Sequence, residues 1–203
     1  IIDATIVAAP RQRNSREDNA LVKAGETPEE WEKKPAKNRQ KDKDARWTKK
    51  HGRSHFGYKN HVCIDRRHKL VRRFAVTTAS VHDSQKLEDV LDTGNTASTV
   101  WADSAYRSQE TEAKLAARGF KSQIHSRGCR NKPLTARQEA TNKTRSSVRA
   151  RVEHVFGSQH TSMGGKFVRT IGFVRASMKI GMQNLAYNMR RFVVLERSAV
   201  ASG

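Results

Sequence analysis

The chain has 203 residues, which is enough for one domain with a proper hydrophobic core and short for two. Its 40 Lys and Arg residues against 20 Asp and Glu residues give a formal net charge of +20. Because this charge repels itself in a compact protein, we expect a polyanion as partner, and a structural RNA-binding protein would have the same totals. No run approaches the ~18 apolar residues of a membrane span and no signal peptide is visible, so we expect a soluble protein with no membrane contact.

The first ten residues predict a buried strand. They form an apolar, β-branched run that Pro10 closes, with one acid, Asp3, inside it. A buried carboxylate needs a partner, so Asp3 is either hydrogen-bonded within the protein or a metal ligand. The residues leave both interpretations open.

A basic segment, residues 11–53, follows this strand. It is poor in aliphatic residues, and its part from 33 to 53 holds ten Lys and Arg against two Asp. This composition predicts a long solvated loop or a partly disordered arm, which either lies in solvent or docks on phosphates. Within it, Thr27 as cap and Pro28 as first helical residue predict a short helix.

The next segment predicts an antiparallel pair of strands, 54–65 and 70–78, joined by a polar turn. A helix follows over residues 81–92, with Gly94 as its stop. Asp83, near the start of this helix, is interpreted as a cap in preference to a catalytic residue.

A short apolar strand over residues 99–102 leads directly into Asp103. The strand delivers this carboxylate to its carboxyl end, where open α/β sheets collect ligands and catalytic groups. Alternatively, Asp103 is only the N-cap of the helix predicted over 104–118. Gly119 ends that helix, and residues 120–125 predict another short strand.

A long helix is predicted from about Thr135. Its apolar residues recur at helical spacing and form one stripe that faces the core, namely Val148, Val152, Val155 and Phe156. Arg149 and Glu153 lie four residues apart on a bordering stripe. Residues 121–203 hold 16 Lys and Arg but only three acids, so an acid in this segment is a candidate functional residue.

A final amphipathic helix is predicted over residues 177–195. Its apolar residues are Met178, Met182, Leu185, Met189 and Phe192. We interpret the methionines as side chains that fill the core, in preference to a cofactor site.

The order of the predicted elements brings three acids together. Strand, antiparallel pair, helix, strand, helix, strand and helix resembles the order of the ribonuclease H-like fold, in which the first and fourth strands are neighbours and a later helix packs across them. We therefore expect an α/β domain, with a mixed sheet flanked by helices and a long basic insertion after the first strand. In that arrangement Asp3, Asp103 and Glu153 converge, and three carboxylates suit Mg²⁺ or Mn²⁺. Two such ions about 4 Å apart would activate a water and stabilise the leaving 3′ oxygen during attack on a phosphodiester.

Five short motifs occur in series along the chain. They are Asp3-Ala4-Thr5, Phe56-Gly57-Tyr58-Lys59, Thr77-Thr78-Ala79-Ser80-Val81-His82-Asp83, Ala102-Asp103-Ser104-Ala105-Tyr106-Arg107, and Arg149-x3-Glu153-His154-Val155-Phe156-Gly157. Together they resemble the DDE transposases of bacterial insertion sequences, in the insertion-sequence-five group. The resemblance covers about residues 1 to 195. It implies a ribonuclease H-like catalytic domain over 1–197 that nicks the ends of its element and joins the freed 3′ hydroxyls to target DNA.

The resemblance also assigns site residues. It implies that Asp3, Asp103 and Glu153 are the catalytic triad and hold Mg²⁺ or Mn²⁺, with two ions expected. The residues expected to contact DNA are Arg149, Lys59, Arg107, His160 and Lys166.

One signature carries most of this assignment. Arg149 falls on the Arg of the family's Tyr-x2-Arg-x3-Glu-x6-Lys pattern, which is expected to meet DNA phosphate near the cut. Two positions depart from the pattern, because Ser146 takes the place of the Tyr and His160 that of the Lys. Histidine can still donate a hydrogen bond, and Lys166 lies near.

The resemblance further implies partners and a location. DNA is the partner, both as element ends and as target, and a homodimer is expected in the active complex because two ends must be brought together. The expected location is the bacterial cytoplasm, in association with the nucleoid. From the resemblance we also expect that the family's helix-rich N-terminal region, which recognises element ends, is not contained in these 203 residues, and that the last helix, 177–197, closes the domain.

Two other functions fit the same residues. A decayed or repurposed transposase core would bind DNA without cutting it, which Ser146 and His160 favour. An unrelated metal nuclease would use histidines as base or ligand, namely His51, His55 and His61. In that last case the replacement of Glu153 would be harmless and that of His61 would not.

Overall fold

The computed structural model describes residues 1–94 and 97–201 and shows a mixed α/β domain. In that part of the chain the strands are β1 (Ile2–Ala8), β2 (Arg46–Lys50), β3 (Arg53–Ile64), β4 (Val71–Thr78), β5 (Thr99–Val100) and β6 (Lys121–Ser122). The helices are α1 (Arg16–Ala24), α2 (Glu29–Glu32), α3 (Pro35–Arg39), α4 (Leu87–Val90), α5 (Gln109–Ala117), α6 (Ala136–Ser162) and α7 (Phe173–Val200). None of the helices so described is long and apolar enough to cross a lipid bilayer.

Strand β3 is the centre of the main sheet. It pairs antiparallel with β1 on one side and with β4 on the other, and its first residues also pair with β2. The predicted pair 54–65 and 70–78 is therefore present with nearly the predicted bounds. Its length of 12 residues lets β3 bind three partner strands.

The strand that leads into Asp103 lies next to β1. Strands β5 and β6 form a parallel pair, and the Ile2 nitrogen donates a hydrogen bond of 2.8 Å to the Trp101 carbonyl oxygen just beyond β5. This bond joins the two sheets at the place where the element order predicted neighbouring strands. Both strands of the parallel pair are shorter than predicted, at two residues each.

Helix α6 crosses the sheet with its predicted apolar stripe inward. Val152 and Val155 are fully buried, and they pack with Val62 of β3 and Val71 of β4 in one hydrophobic cluster. The capping box at Thr135 fixes the start of this helix at the predicted residue. Because Arg149 and Glu153 border the stripe, this packing holds them beside the edge of β1.

The basic segment 11–53 contains helices and a strand, so the prediction of a loop or a partly disordered arm is wrong, whereas most of its residues are solvated as predicted. It contains α1, α2, α3 and β2, and each short element is fixed by a few local contacts. Ser15 forms a capping box with Asp18 at the start of α1, Trp31 is 1% exposed, and Tyr58 donates a buried hydrogen bond to Asp42 at 2.8 Å. The charges of the segment lie on the outer faces of these elements, which composition alone does not reveal.

Two predicted helix starts are also corrected. Residues 81–92 form a 3-10 turn over Asp83–Lys86 followed by the four-residue α4, and His82 is the N-cap in place of Asp83. The short helix after Thr27 begins at Glu29, with Pro28 as its N-cap. In both cases a helix was expected and its cap lies one residue from the predicted one.

The prediction that the methionines of the last helix fill the core is wrong. Met178, Met182 and Met189 are 67%, 63% and 63% exposed, and α7 is longer than the predicted 177–195. The residues it buries are Ala176, Ile180, Asn184 and Tyr187, on its other face. Helix α7 is apolar on two faces, and periodicity identifies residues that share a face without telling which face meets the core.

Candidate active site

Asp3 is the second residue of β1 and lies opposite Val62 of β3. One of its carboxylate oxygens accepts a hydrogen bond from the Ala4 backbone nitrogen at 2.8 Å. Burial raises the pKa of Asp3, and the nearby Arg149 guanidinium acts in the opposite direction. The backbone bond is local and leaves the second oxygen, Oδ2, directed to Arg149, 3.8 Å away.

Asp103 follows β5 and has two roles in the structure. Its Oδ1 accepts a hydrogen bond of 2.5 Å from the Ser104 nitrogen, so it caps the 3-10 turn over Ser104–Tyr106. Its Oδ2 lies 3.5 Å from Arg149 Nη1. Asp103 thus caps a three-residue turn, whereas the helix predicted over 104–118 begins only at Gln109 and has Ser108 as its N-cap. This local cap does not compete with a place in the site.

Glu153 lies on α6, one turn after Arg149. Its Oε1 is 3.7 Å from Arg149 Nη2, and its side chain is 67% exposed, which makes it the most exposed of the three acids. Removal of its charge therefore changes the site with little effect on the core.

Arg149 is the point at which the three acids meet. Its guanidinium contacts one carboxylate from β1, one from the end of β5 and one from α6, while its side chain is only 18% exposed. Its Nε atom is buried and has no hydrogen-bond partner among the residues described. The structure therefore brings Asp3, Asp103 and Glu153 together around a cation supplied by the chain itself.

The three carboxylates are suitable ligands for a hard divalent cation, but the Arg149 guanidinium occupies the position between them. Carboxylate oxygens are the ligands that Mg²⁺ and Mn²⁺ prefer. As the side chains stand, no three acids, histidines or cysteines in residues 1–94 and 97–201 are grouped closely enough to form a metal site. A divalent cation held by these acids would compete with Arg149 for the same oxygens.

His125 is a neighbour of the site that the sequence analysis missed. Its Nδ1 is 3.9 Å from Asp103 Oδ1, its Nε2 is 3.5 Å from Ser146 Oγ, and burial together with Arg149 lowers its pKa. The sequence could have predicted this position, because His125 ends the strand predicted over 120–125. The carboxyl ends of parallel strands lie at one edge of a sheet, so His125 is expected beside Asp103.

Lys59 has an internal partner. Its ammonium group donates to Asp83 Oδ1 at 2.8 Å and to the Val81 carbonyl oxygen at 2.6 Å, and its side chain is 11% exposed. Asp83 is thus the ion-pair partner of Lys59, which is neither of the two roles considered for it, helix cap or catalytic residue. The ammonium group of Lys59 is thus bonded within the domain, and its contact with DNA stays a prediction.

The other predicted DNA contacts differ in exposure. Arg107 donates to the Ile124 carbonyl oxygen at 3.0 Å, which leaves its side chain 37% exposed. His160 lies 3.4 Å from Thr5 Oγ1 on β1, and burial lowers its pKa. Lys166 is exposed, and its backbone is bonded to Ala8 at the end of the same strand. His160 and Lys166 thus share the β1 side of the domain with Asp3.

The histidines proposed for a different metal nuclease do not form a site. His61 is fully buried and its Nε2 lies 2.9 Å from Thr77 Oγ1. Burial lowers the pKa of His61 to about 4, so it is a neutral core residue at physiological pH. His55 pairs with Thr48 in the β2–β3 ladder, and His51 lies in the turn between those strands.

Comparison with known proteins agrees with this geometry. The sequence model of the family described as "Transposase DDE domain" matches residues 1–189. The protein described as "Transposase for insertion sequence element IS1106", from Neisseria meningitidis serogroup B, is 30% identical over 193 residues, which are 93% of this chain and 63% of that protein. The chain thus spans somewhat less than two thirds of the length of this relative. No solved structure matches. The match over nearly the whole chain shows that it belongs to the transposase DDE domain family.

Proposed function

We propose that this chain is the catalytic domain of a DNA transposase, with a ribonuclease H-like fold. The reaction is metal-dependent hydrolysis of phosphodiesters at the element ends, followed by strand transfer into target DNA. One observation carries the proposal, namely that Asp3, Asp103 and Glu153 arrive from three separate elements at one guanidinium. In a chain with a net charge of +20, such a meeting of acids needs a function.

Asp3, Asp103 and Glu153 are the residues that would hold Mg²⁺ or Mn²⁺, with two ions expected. When bound, such ions activate the attacking oxygen and stabilise the leaving one. The backbone holds Asp3 on β1, which pairs with the central strand β3, and it holds Asp103 in a capped turn. These supports fix two of the three carboxylates before any ligand arrives.

Arg149 connects the acids with the DNA. Without a divalent ion its single positive charge offsets part of the charge of the three carboxylates. If these acids held a metal, its guanidinium would be free to donate to a phosphate next to the scissile bond. Arginine suits this exchange because its planar donors fit carboxylate and phosphate alike. Its position on α6, four residues before Glu153, keeps it within reach of both.

The excess of basic residues supports DNA as substrate and target. Binding through phosphates is strongly salt-dependent and largely independent of sequence. The exposed Lys166 and the partly exposed Arg107 are proposed contacts, and His160 contributes beside β1. In a bacterium this places the protein on the nucleoid, and joining two ends calls for two copies of the domain in one complex.

The test compares two Glu→Gln variants on the same helix. Glu153→Gln removes the charge at the site, and Glu139→Gln makes the same change at an exposed position in the first turn of α6. The substrate is a labelled duplex with the terminal repeats that flank the gene, in the presence of Mn²⁺ or Mg²⁺. We expect Glu153→Gln to bind the duplex and to lose nicking by a factor of at least about 100, and Glu139→Gln to behave as wild type.

The second candidate function is a transposase core that binds DNA without cutting it. The departures at Ser146 and His160 favour it, as does the occupation of the centre of the site by Arg149. It predicts that wild type and both variants shift the duplex and that none of them nicks it. Nicking that survives in Glu153→Gln would instead sink the three-carboxylate proposal.

A further inference from the structure

The last helix carries an apolar surface that the domain leaves uncovered. Seven side chains define this outer stripe, each between 47% and 71% exposed, namely Val174, Met178, Met182, Leu185, Met189, Phe192 and Val193. The residues that α7 buries, among them Ala176 and Ile180, lie on the opposite side of the helix. The outer stripe is therefore not part of the core of residues 1–94 and 97–201.

The spacing within the outer stripe indicates what covers it. From Met178 to Phe192 its members follow one another at steps of four, three, four and three residues. This alternation is the 3.5-residue repeat of a helix that packs lengthwise on another helix. A helix that packs on its domain through one face alone usually has polar residues on the opposite face, and not a second apolar stripe.

The area of the outer stripe is that of a stable interface. If each of these large side chains has about 200 Å² of surface in full, their exposed parts together amount to on the order of 800 Å². A standard protein interface buries about 800 Å² on each partner. Uncovered apolar patches on monomers are usually smaller than this.

The charges beside the outer stripe favour a second copy of the same helix. Arg175, Lys179 and Arg190 lie along one flank. Gly181 and Asn188 lie along the other, uncharged flank, where Asn188 bonds to the Val71 backbone of β4. In a parallel pair of helices each flank faces the opposite flank of its partner, so the basic side meets the uncharged side. An antiparallel pair would place the two basic flanks against each other.

We propose that two copies of this chain dimerise through the outer stripe, with their α7 helices parallel about a two-fold axis. The proposal does not rest on the nuclease chemistry, since dimerisation is measured without DNA or metal. It also places two active sites in one assembly, which the joining of two DNA ends requires.

The first test measures the dimer with a matched pair of variants. Met189→Glu puts a charge into the outer stripe, while Val194→Glu puts the same charge at a residue 49% exposed that lies half a turn round the helix from Leu185. Sedimentation velocity is run from about 1 to about 100 µM protein, in about 0.5 M salt to screen the net charge. We expect a wild-type dimer, at least tenfold weaker association for Met189→Glu, and no change for Val194→Glu.

The second test uses the methionines themselves. Met178, Met182 and Met189 are exposed in one copy, and Met163, outside the helix, serves as internal reference. Oxidation by peroxide, followed by mass spectrometry, should slow at these three residues as protein concentration rises and stay constant at Met163. This readout does not depend on any variant.

Three results would overturn the proposal. One is a wild-type protein that stays monomeric at all concentrations tested and whose methionines in the outer stripe are oxidised at a rate independent of protein concentration. Another is a dimer that Met189→Glu leaves intact, which moves the interface elsewhere. The third is protection that appears only with vesicles of anionic lipid, which assigns the outer stripe to a membrane surface. None of these results bears on nicking by the Glu153 site.

Discussion

Arg149 and Asp103 face each other across the site, with 3.5 Å between Nη1 and Oδ2. The same guanidinium also reaches Asp3 and Glu153, so the charge of the acid cluster is partly offset from within. A positively charged side chain in this position competes with any other cation for the acids. In the proposed function, metal binding would therefore release a group that can bind phosphate.

Removal of Arg149 should therefore strengthen metal binding. We expect Arg149→Met to bind Mn²⁺ about tenfold more tightly by isothermal titration calorimetry, because the competing cation is gone. Without metal the variant should be less stable by about 1–2 kcal/mol, since three carboxylates lose their counter-charge. Mn²⁺ should restore most of that loss.

Arg145→Met is the control for this prediction. Arg145 lies one turn earlier on α6 and donates to Gln123 and to the Ile124 carbonyl oxygen, at 2.9 and 2.7 Å, without contacting the acids. Its replacement should leave Mn²⁺ affinity unchanged. Equal affinities for wild type and Arg149→Met would show that Arg149 does not compete with the metal.

The Lys59–Asp83 pair should act on stability and leave DNA binding unaltered. Lys59→Met leaves the partly buried Asp83 without its partner and should cost about 3 kcal/mol in the free energy of unfolding, measured with urea. The slope of DNA affinity against salt should stay as in wild type. Lys166→Met should lower that slope by about one and leave stability unchanged. A smaller slope for Lys59→Met would place Lys59 on the DNA surface.

The sequence predicted that the three acids meet, but it did not predict that the Arg149 guanidinium lies between them. Element order alone placed the Asp103 strand beside β1 and α6 across both, which the Ile2–Trp101 bond and the packing of Val152 agree with. The rotamer of Arg149 depends on three partners far apart in sequence. The internal partner of Lys59 was missed for the same reason, because Asp83 lies 24 residues away on a different element.

Gly57, in the second of the sequence motifs, is required by strand packing. Its φ is +150°, and a Cβ there would collide with the Val7 carbonyl oxygen and lie 2.8 Å from the Ala9 nitrogen, where β1 and β3 pair. Gly57→Ala should therefore lose more than about 4 kcal/mol or fail to fold. Gly52→Ala, at φ +75° with open space around it, should cost only about 1–2 kcal/mol. Comparable losses in urea unfolding would mean that backbone conformation, and not the close approach of β1, explains the glycine.

Burial patterns show where the sequence misleads. The stripe of α6 was assigned to the core correctly because its other face is charged. Helix α7 offers two apolar faces, and only the fold decides that Ile180 is inside and Met182 outside. In the basic segment, one buried aromatic residue, Trp31, orders a stretch whose composition predicts disorder.

His61 should make the domain less stable in mild acid. Burial lowers the pKa of His61 to about 4 from the ordinary 6.5. Between pH 6.5 and pH 4 the imidazole is therefore protonated in the unfolded chain and neutral in the folded chain. Its contribution to stability is therefore complete above pH 6.5 and is lost as the pH falls toward 4. Between pH 7 and 4.5 we expect a loss of about 2 kcal/mol from this residue.

The measurement compares urea unfolding of wild type and His61→Gln across this range. Glutamine keeps a group that can bond to Thr77 and removes the titration, so the difference between the two proteins isolates His61 from the other groups that titrate. The stability of wild type relative to the variant should fall as the pH is lowered. A difference that stays constant with pH would mean that His61 takes up its proton as readily within the fold as in the unfolded chain, so that burial does not lower its pKa.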